Sequence, residues 1–384
     1  MGEERFGSRA LGELKLGVAV PWLALPRRAC SIGQGTGMTE NTKYQAAMQR
    51  ALDLALLGPA TGVNPQVGAV ILDRDLNILA EGWHLGAGTP HAEVVALAQL
   101  AVIPDGATAV VTLEPCNHTG RTGPCAQALI AAGISRVVFA SSDPGDASSG
   151  GAQTLRAAGI EVIENVMQAE ADEQLRVWLT FATRKRPFVT LKWASSLDGR
   201  AAASDGTSQW ISGPESRADS HELRSTVDAI LVGTGTVLAD NPTLTARKPD
   251  GSLYPHQPLR VVVGDRAIPA GFNILNDQAP TVHLQTRDLN QVLVELYAMG
   301  IKHIWVEGGP QLASQFVAHN LVDQFIIYLA PMLLGGNRNA LGDIAVTSMP
   351  QAKHLSIDYT MPLGDDILIV ARPMPASGAN PEEN

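Results

Sequence analysis

The chain has 384 residues, is 45% hydrophobic and 17% charged, and carries a formal net charge of −10. That is chain enough for two ordinary globular domains, and its acidic balance disfavours binding to nucleic acid in general. Three cysteines (Cys30, Cys116 and Cys125) make no secreted disulfide framework, and no apolar run approaches a bilayer span, so a cytoplasmic protein with no membrane partner is expected.

In chain order, residues 1–40 show no clear periodicity and read as a poorly ordered extension. Met38 could be the natural start. Leu16–Leu25 lacks the order of a signal peptide. Tyr44, Met48, Leu52 and Leu56 recur every four residues and predict one helix stripe, which Gly58-Pro59 stops. Val67–Leu72 and Ile78–His84 read as strands around a polar turn. A helix from His91 to about Leu100 follows, then a buried strand at Ala107–Leu113 and a helix at Cys125–Ala132. A strand at Arg136–Ser141, a helix near Gln153–Ala158, a strand at Ile160–Ile163 and a helix around Glu170–Ala182 complete a first α/β unit over 41–183.

Thr183–Pro187 is basic and ends the helix, which makes it the best domain boundary. The second unit, over 188–372, opens with a strand at Phe188–Trp193. Ser212-Gly213-Pro214-Glu215 predicts a capping box that starts a helix running to about Thr226. Strands follow at Ala229–Val232, Arg260–Val263, Thr281–Leu284, His303–Val306, Asp323–Leu329 and Ile367–Ala371, with helices at Leu289–Met299 and Gln311–Asn320. Residues 373–384 are rich in Pro, Gly, Ala and Glu and read as a disordered tail.

Chemistry concentrates at His91-Ala92-Glu93, Pro115-Cys116 and Pro124-Cys125. One His and two Cys with a non-ligand Glu is the pattern of zinc deaminases, whose usual second half is Pro-Cys-x-x-Cys. Here eight residues separate the two cysteines. His91 and Glu93 would face opposite ways on a regular helix, so His91 is expected at the helix entry and Glu93 in its first turn. The helix start at Cys125 favours a thiolate. Three protein ligands leave a fourth position for water, which zinc activates to attack an amino-bearing pyrimidine carbon, with Glu93 carrying the proton to ammonia. A closed structural site using His84 or His118 is the competing reading. Asn64, ahead of the first strand, suits a pyrimidine edge or a ribose hydroxyl, or is simply an Asn-Pro turn.

Gly308-Gly309-Pro310 and Gly233-x-Gly235 each follow a strand. Either alone is an ordinary tight turn. Together they suggest a dinucleotide, with the pyrophosphate at a helix start.

Asn64-Pro65-x-Val67-Gly68, Gly88–Val94 and Thr112–Cys125 resemble the bifunctional riboflavin-biosynthesis deaminase/reductase family, which carries the long inter-cysteine loop as its own variant. Lys192–Arg200, Ser208–Ile211, Gly235–Arg247 and Val306–Pro310 resemble its reductase domain. The resemblance implies a cytidine-deaminase-like zinc domain followed by a dihydrofolate-reductase-like domain that uses NADPH. It implies a small phosphorylated pyrimidine substrate, and a homo-oligomer is expected. By the same resemblance Ala194, Trp210, Thr236, Asp240, Asp265, Gly309, Pro310, Gln311, Leu312, Ala313, Ser314 and Gln315 would line the NADPH site. Ser208, Arg224, Leu244, Arg247 and Glu307 would contact substrate. Arg224 and Arg247 suit a phosphate, though Arg224 could be a solvated helix charge and Trp210 a core residue. Lys192 and Asp198 could assist proton delivery or form a structural pair. His118 and Arg121 stand in the loop beside the metal ligands. A tRNA-type deaminase and a structural zinc module on a cofactor-binding scaffold are the competing functions.

Overall fold

A computed structural model describes residues 40–118, 123–145 and 148–374 of the chain. The expected extension (but for Glu40), most of the expected tail, and Arg121 lie outside these residues.

The first unit runs α1 (Glu40–Lys43), α2 (Gln45–Ala55), β1 (Gly68–Leu72), β2 (Ile78–Trp83), α3 (Ala92–Leu97), β3 (Thr108–Leu113), α4 (Cys125–Ala131), β4 (Arg136–Ser141), α5 (Gly151–Ala157), β5 (Glu161–Ile163) and α6 (Gln168–Arg184). Its five strands lie in the order β2-β1-β3-β4-β5. β1 is antiparallel to both neighbours, while β3, β4 and β5 are parallel. β1 and β3 are buried throughout, which is why they read as unbroken apolar runs. Alternate residues still divide between two layers. Val70 and Val110 pack on Tyr44, Met48 and Leu52 of the α2 side. Ile71 and Val111 pack with Ala92, Ala96 and Leu129 of α3 and α4. The period-2 pleat thus holds α3 and α4 on one face.

The second unit runs β6 (Phe188–Ser196), α7 (Pro214–Arg224), β7 (Ala229–Gly233), α8 (Thr234–Asp240), β8 (Leu259–Val263), β9 (Thr281–Leu284), α9 (Leu289–Ala298), β10 (His303–Val306), α10 (Pro310–Ala318), β11 (Gln324–Ala330), β12 (Leu355–Leu363) and β13 (Asp366–Pro373). Its eight strands lie in the order β12-β13-β11-β6-β10-β7-β8-β9. The run from β11 to β9 is parallel, and β13 and β12 close the other edge antiparallel. Leu191, Leu231, Val261 and Val306 form the core with Leu293, Leu296 and Phe316 of the covering helices.

Three details differ from expectation. Gly233-x-Gly235 does not stay a loop, because Gly233 caps α8 and Gly235 lies inside it. β12 is an edge strand with most residues exposed or half-exposed, so it offered no apolar alternation to read. The Ser212 capping box does not form. Gly213 is the N-cap of α7, and Asp366 of β13 accepts its N–H at 2.7 Å and the Ser216 hydroxyl at 2.6 Å. Pro214 does take the first helical position. Helix α6 links the two sheets: Glu173 accepts from Arg372 at 2.5 Å, and Phe181 stacks on Tyr297 at 4.5 Å. No helix of the described residues is long and apolar enough to cross a membrane.

Candidate active sites

His91 is the N-cap residue of α3, with φ −72° and ψ 162°, and Glu93 falls in the first turn. The extended backbone at His91 releases its side chain from the helical direction. Imidazole and carboxylate therefore reach one pocket despite their spacing. β3 delivers Cys116 at its exit, and Cys125 is the first residue of α4 after its N-cap Pro124. His91 Nδ1 lies 3.2 Å from Cys125 Sγ and 3.5 Å from Cys116 Sγ. The three donor atoms all fall within 4.8 Å of one another.

The Cys125 backbone N–H donates to Cys116 Sγ at 3.4 Å. Hydrogen bonding from the Cys125 thiol, and then from His91, holds the Cys116 thiol down at about 4 against its burial. The same contact and burial push Cys125 up. An imidazole beside a stabilised thiolate and a second thiol, all buried or half-buried, is a donor set that fits Zn²⁺. His84 is otherwise engaged. Its Nδ1 donates to the Pro90 carbonyl at 3.1 Å, and its Nε2 accepts from Asn64 Nδ2 at 2.9 Å. His118 is not among the converging donors of the described residues.

Glu93 is 3% exposed, and burial pushes its carboxyl upward. A carboxyl raised in this way holds a proton more readily than a free carboxylate, which suits a group that takes a proton and returns it. It faces a cavity of about 380 Å³ walled by Asn64, His84, His118, Asp143 and Trp178. Neither Asp143 nor Trp178 was expected there. Trp178 sits in an amphipathic helix and reads as core. Asp143 follows the end of β4, a strand-exit position that could have signalled it. Glu114, two residues before Cys116, accepts from the N–H of Ala152 at 2.9 Å and of Asp143 at 3.2 Å. It ties the exit of β3 to α5.

The second unit has a cavity of about 1060 Å³ at the C-terminal ends of its parallel strands. Ala194, Thr236, Asp240, Gly309, Pro310, Gln311, Leu312 and Gln315 line it, as do Ser208 and Glu307. Thr236 Oγ1 accepts from the Gly309 N–H at 3.2 Å, joining the two glycine turns. Ala313 and Ser314 are 1% and 3% exposed and turn away from the cavity. Consecutive residues of a helix cannot all face one ligand. Trp210 is 67% exposed, neither core nor cavity wall, with the Arg217 guanidinium 4.5 Å from its ring centre. Asp265 is also off the wall and pairs at 2.7 Å with Arg287, which does line it. Arg266, Thr286 and the segment 337–340 line it too, with no motif to announce them.

Arg224, Leu244 and Arg247 are not among the residues that line this cavity. Arg224 donates to Glu307 Oε1 at 2.8 Å and Oε2 at 2.6 Å, so it is no solvated helix charge. Burial pushes the Glu307 carboxyl up, but Arg224 and Lys192 outweigh it and hold it well below the usual range. Lys192 is itself lowered by burial and lines the cavity beside Glu307. Asp198 does not pair with it. Asp198 accepts from Ser196 and from the N–H groups of Leu334 at 3.2 Å and Gly335 at 2.7 Å, which lowers it to about 2. Leu244 is 5% exposed with a positive φ of 51°. Arg247 donates to Thr243 Oγ1 at 2.9 Å and lies 3.4 Å from His221 Nε2. Burial, then Arg224 and Arg247, holds His221 at about 4.

Two family models match the chain: the cytidine and deoxycytidylate deaminase zinc-binding region over residues 41–141, and the RibD C-terminal domain over 187–369. Riboflavin biosynthesis protein RibD of Mycobacterium tuberculosis is 44% identical over 335 residues, covering 86% of this chain and 98% of that protein. The Corynebacterium ammoniagenes RibD is 46% identical, covering 77% and 88%. Among solved structures, Acinetobacter baumannii RibD superposes with a TM-score of 0.80 at 36% identity, over 88% of this chain and all of that one. The Thermotoga maritima diaminohydroxyphosphoribosylaminopyrimidine deaminase/5-amino-6-(5-phosphoribosylamino)uracil reductase gives 0.77 at 33% identity, with the same coverage. With a zinc-binding deaminase region and a reductase domain in series, this chain belongs to the RibD family of bifunctional deaminase/reductases of riboflavin biosynthesis.

Proposed function

We propose that residues 41–183 deaminate 2,5-diamino-6-(5-phosphoribosylamino)pyrimidin-4(3H)-one and residues 188–372 then reduce its ribosyl chain, giving 5-amino-6-(5-phosphoribitylamino)uracil. The observation that carries this is the convergence of the His91, Cys116 and Cys125 donor atoms within 4.8 Å, at a pocket that His91, Cys116 and Glu93 line. His91, Cys116 and Cys125 would hold Zn²⁺, which supplies Lewis-acid activation of water when bound. Glu93 takes the proton from the attacking water and hands it to the leaving ammonia. Asn64, its amide held by His84, addresses the pyrimidine edge.

In the reductase site Gly309 to Leu312, Gln315, Thr236, Asp240 and Ala194 would hold NADPH, which supplies the hydride when bound. Gly309 caps α10, so the first-turn N–H groups after Pro310 would be offered to the pyrophosphate there. Arg247, whose partners are hydroxyls and a neutral imidazole, would draw the substrate phosphate towards the site. The enzyme is read as a cytoplasmic homo-oligomer acting on small molecules.

The test supplies the diaminopyrimidine ribosyl phosphate and then NADPH, following ammonia release and NADPH loss separately. Glu93→Gln is expected to stop ammonia release, by about 10²–10⁴-fold, and to leave reduction of the pre-deaminated intermediate intact. Normal deamination by that variant would overturn the first assignment. Failure to oxidise NADPH with the intermediate would overturn the second.

A further inference from the structure

Two side chains of the reductase unit hold the segment that forms one wall of the deaminase pocket: Lys302 at Asn64, which lines it, and Asp228 at Gly62, next to the lining residue Val63. Lys302, just before β10, is 3% exposed, and its Nζ donates to the backbone carbonyl of Asn64 at 3.4 Å. Asp228, just before β7, accepts from the Gly62 N–H through Oδ1 at 3.4 Å. Its Oδ2 accepts from the backbone N–H groups of Lys302 and His303, both at 2.9 Å. Its own N–H and carbonyl bond to His303 at 3.1 Å and Leu259 at 3.0 Å. The two side chains are therefore fastened to the starts of β7, β8 and β10, one rigid edge of the sheet.

The segment they hold is weakly held otherwise. No helix or strand lies between Ala55 and Gly68, and Val63 is 57% exposed. Yet Val63, Asn64 and Pro65 line the deaminase cavity, and the Asn64 side chain is committed to His84 of the deaminase unit. One domain thus holds the Asn64 amide and the other its backbone. Burial pushes the pKa of the Lys302 ammonium down and only the nearby charge of Asp228 offsets this, so burying it is unfavourable for packing alone. A methionine would fill the same volume.

We propose that Lys302 and Asp228 are positioning residues for deamination: the reductase domain holds the Asn64 segment in register with Glu93 and the metal ligands. The deaminase site is complete only with the reductase docked against it. This rests on the reading of Asn64 as a substrate contact.

The test uses the full chain loaded with zinc. Lys302→Met is expected to raise the deaminase KM about tenfold, with kcat within about twofold and both reductase constants unchanged. The retained reductase kinetics report a folded chain. Lys302→Arg, which keeps a charged donor, should restore most of the KM, and Asp228→Asn should raise it by a smaller factor. If Lys302→Met is insoluble, Lys302→Gln takes its place with the same expected outcomes. Asn64→Ala runs alongside. A raised KM in Asn64→Ala with an unchanged one in the Lys302 variant overturns the proposal alone. An unchanged KM in Asn64→Ala overturns the site reading and the proposal with it. Parallel loss of both activities in the Lys302 variant also overturns it, as that is the mark of a merely structural role.

Discussion

Arg224 and Arg247 look equivalent in the sequence and are not equivalent in the fold. Arg224 is locked in a two-pronged, largely buried pair with Glu307. Removing one partner of such a pair leaves the other charge buried, which costs about 3–5 kcal/mol. Arg224→Met is therefore expected to lower the unfolding free energy by that amount, measured by denaturant melts, and to abolish reduction. Arg247 has no carboxylate partner among the described residues and leans on Thr243 and a neutral His221. Arg247→Ala should change stability little. It should raise the reductase KM about tenfold for the phosphorylated intermediate, and leave a dephosphorylated analogue unaffected. Two arginines of one unit are legible as phosphate candidates, but their partners are set by which segments each meets in the fold: the exit of β10 for Arg224, and Thr243 and α7 for Arg247.

At the scale of elements, the metal site depends on how closely α3 lies on the sheet. A Cβ at Gly82 of β2 would stand 2.2 Å from the Ala92 carbonyl oxygen and 2.7 Å from the Ala96 nitrogen. Neither contact is sterically possible, and both atoms belong to the helix backbone. Gly82→Ala must therefore push α3 outward, and His91 and Glu93 move with it. A displacement of about 1 Å costs a rate of about 10²-fold, so ammonia release should fall by that order while NADPH oxidation is unchanged. Most helices and buried strands were readable because each presents one period to one core. α2 is the clearest case, with Tyr44, Met48 and Leu52 all inward. β12 was not readable because it lies at an edge and buries little. The start of α7 is legible but its cap is not, because the cap comes from Asp366, about 150 residues away in the chain.

At the scale of the whole molecule, the two activities should separate. Stripping the metal with a strong chelator should abolish deamination and leave reduction of the intermediate intact, measured on the same sample. Stability should also respond to pH through the core. Burial, then the charges of Arg176 and Lys302, holds His303 at about 3, with its Nε2 2.8 Å from Thr190 Oγ1. The folded form prefers neutral imidazole, whereas the unfolded chain takes a proton below about 6.5. The stability from this group is thus full above pH 6.5 and is lost as pH falls towards 3, at up to about 1.4 kcal/mol per pH unit. Denaturant melts between pH 6.5 and 4.5 should show His303→Gln with a slope flatter than the parent by about one proton. An equal slope would refute the assignment.

The sequence by itself determined the family and the order of two α/β units, and it named the three residues whose donor atoms the fold brings together. His91, Glu93, Cys116 and Cys125 carry their chemistry in residue type and local geometry: a helix entry, a strand exit and a helix start. Only the tertiary structure decided what stands around them. Trp178 and Asp143 enter the deaminase pocket, Ala313 and Ser314 turn away from the reductase cavity, and Arg224 is committed to Glu307. Lys302 lies 238 residues from the carbonyl it holds. The physical reason is one of range. Periodicity and capping act within a few residues, whereas cavity walls, buried ion pairs and contacts between domains are made by segments that meet only when the sheets assemble.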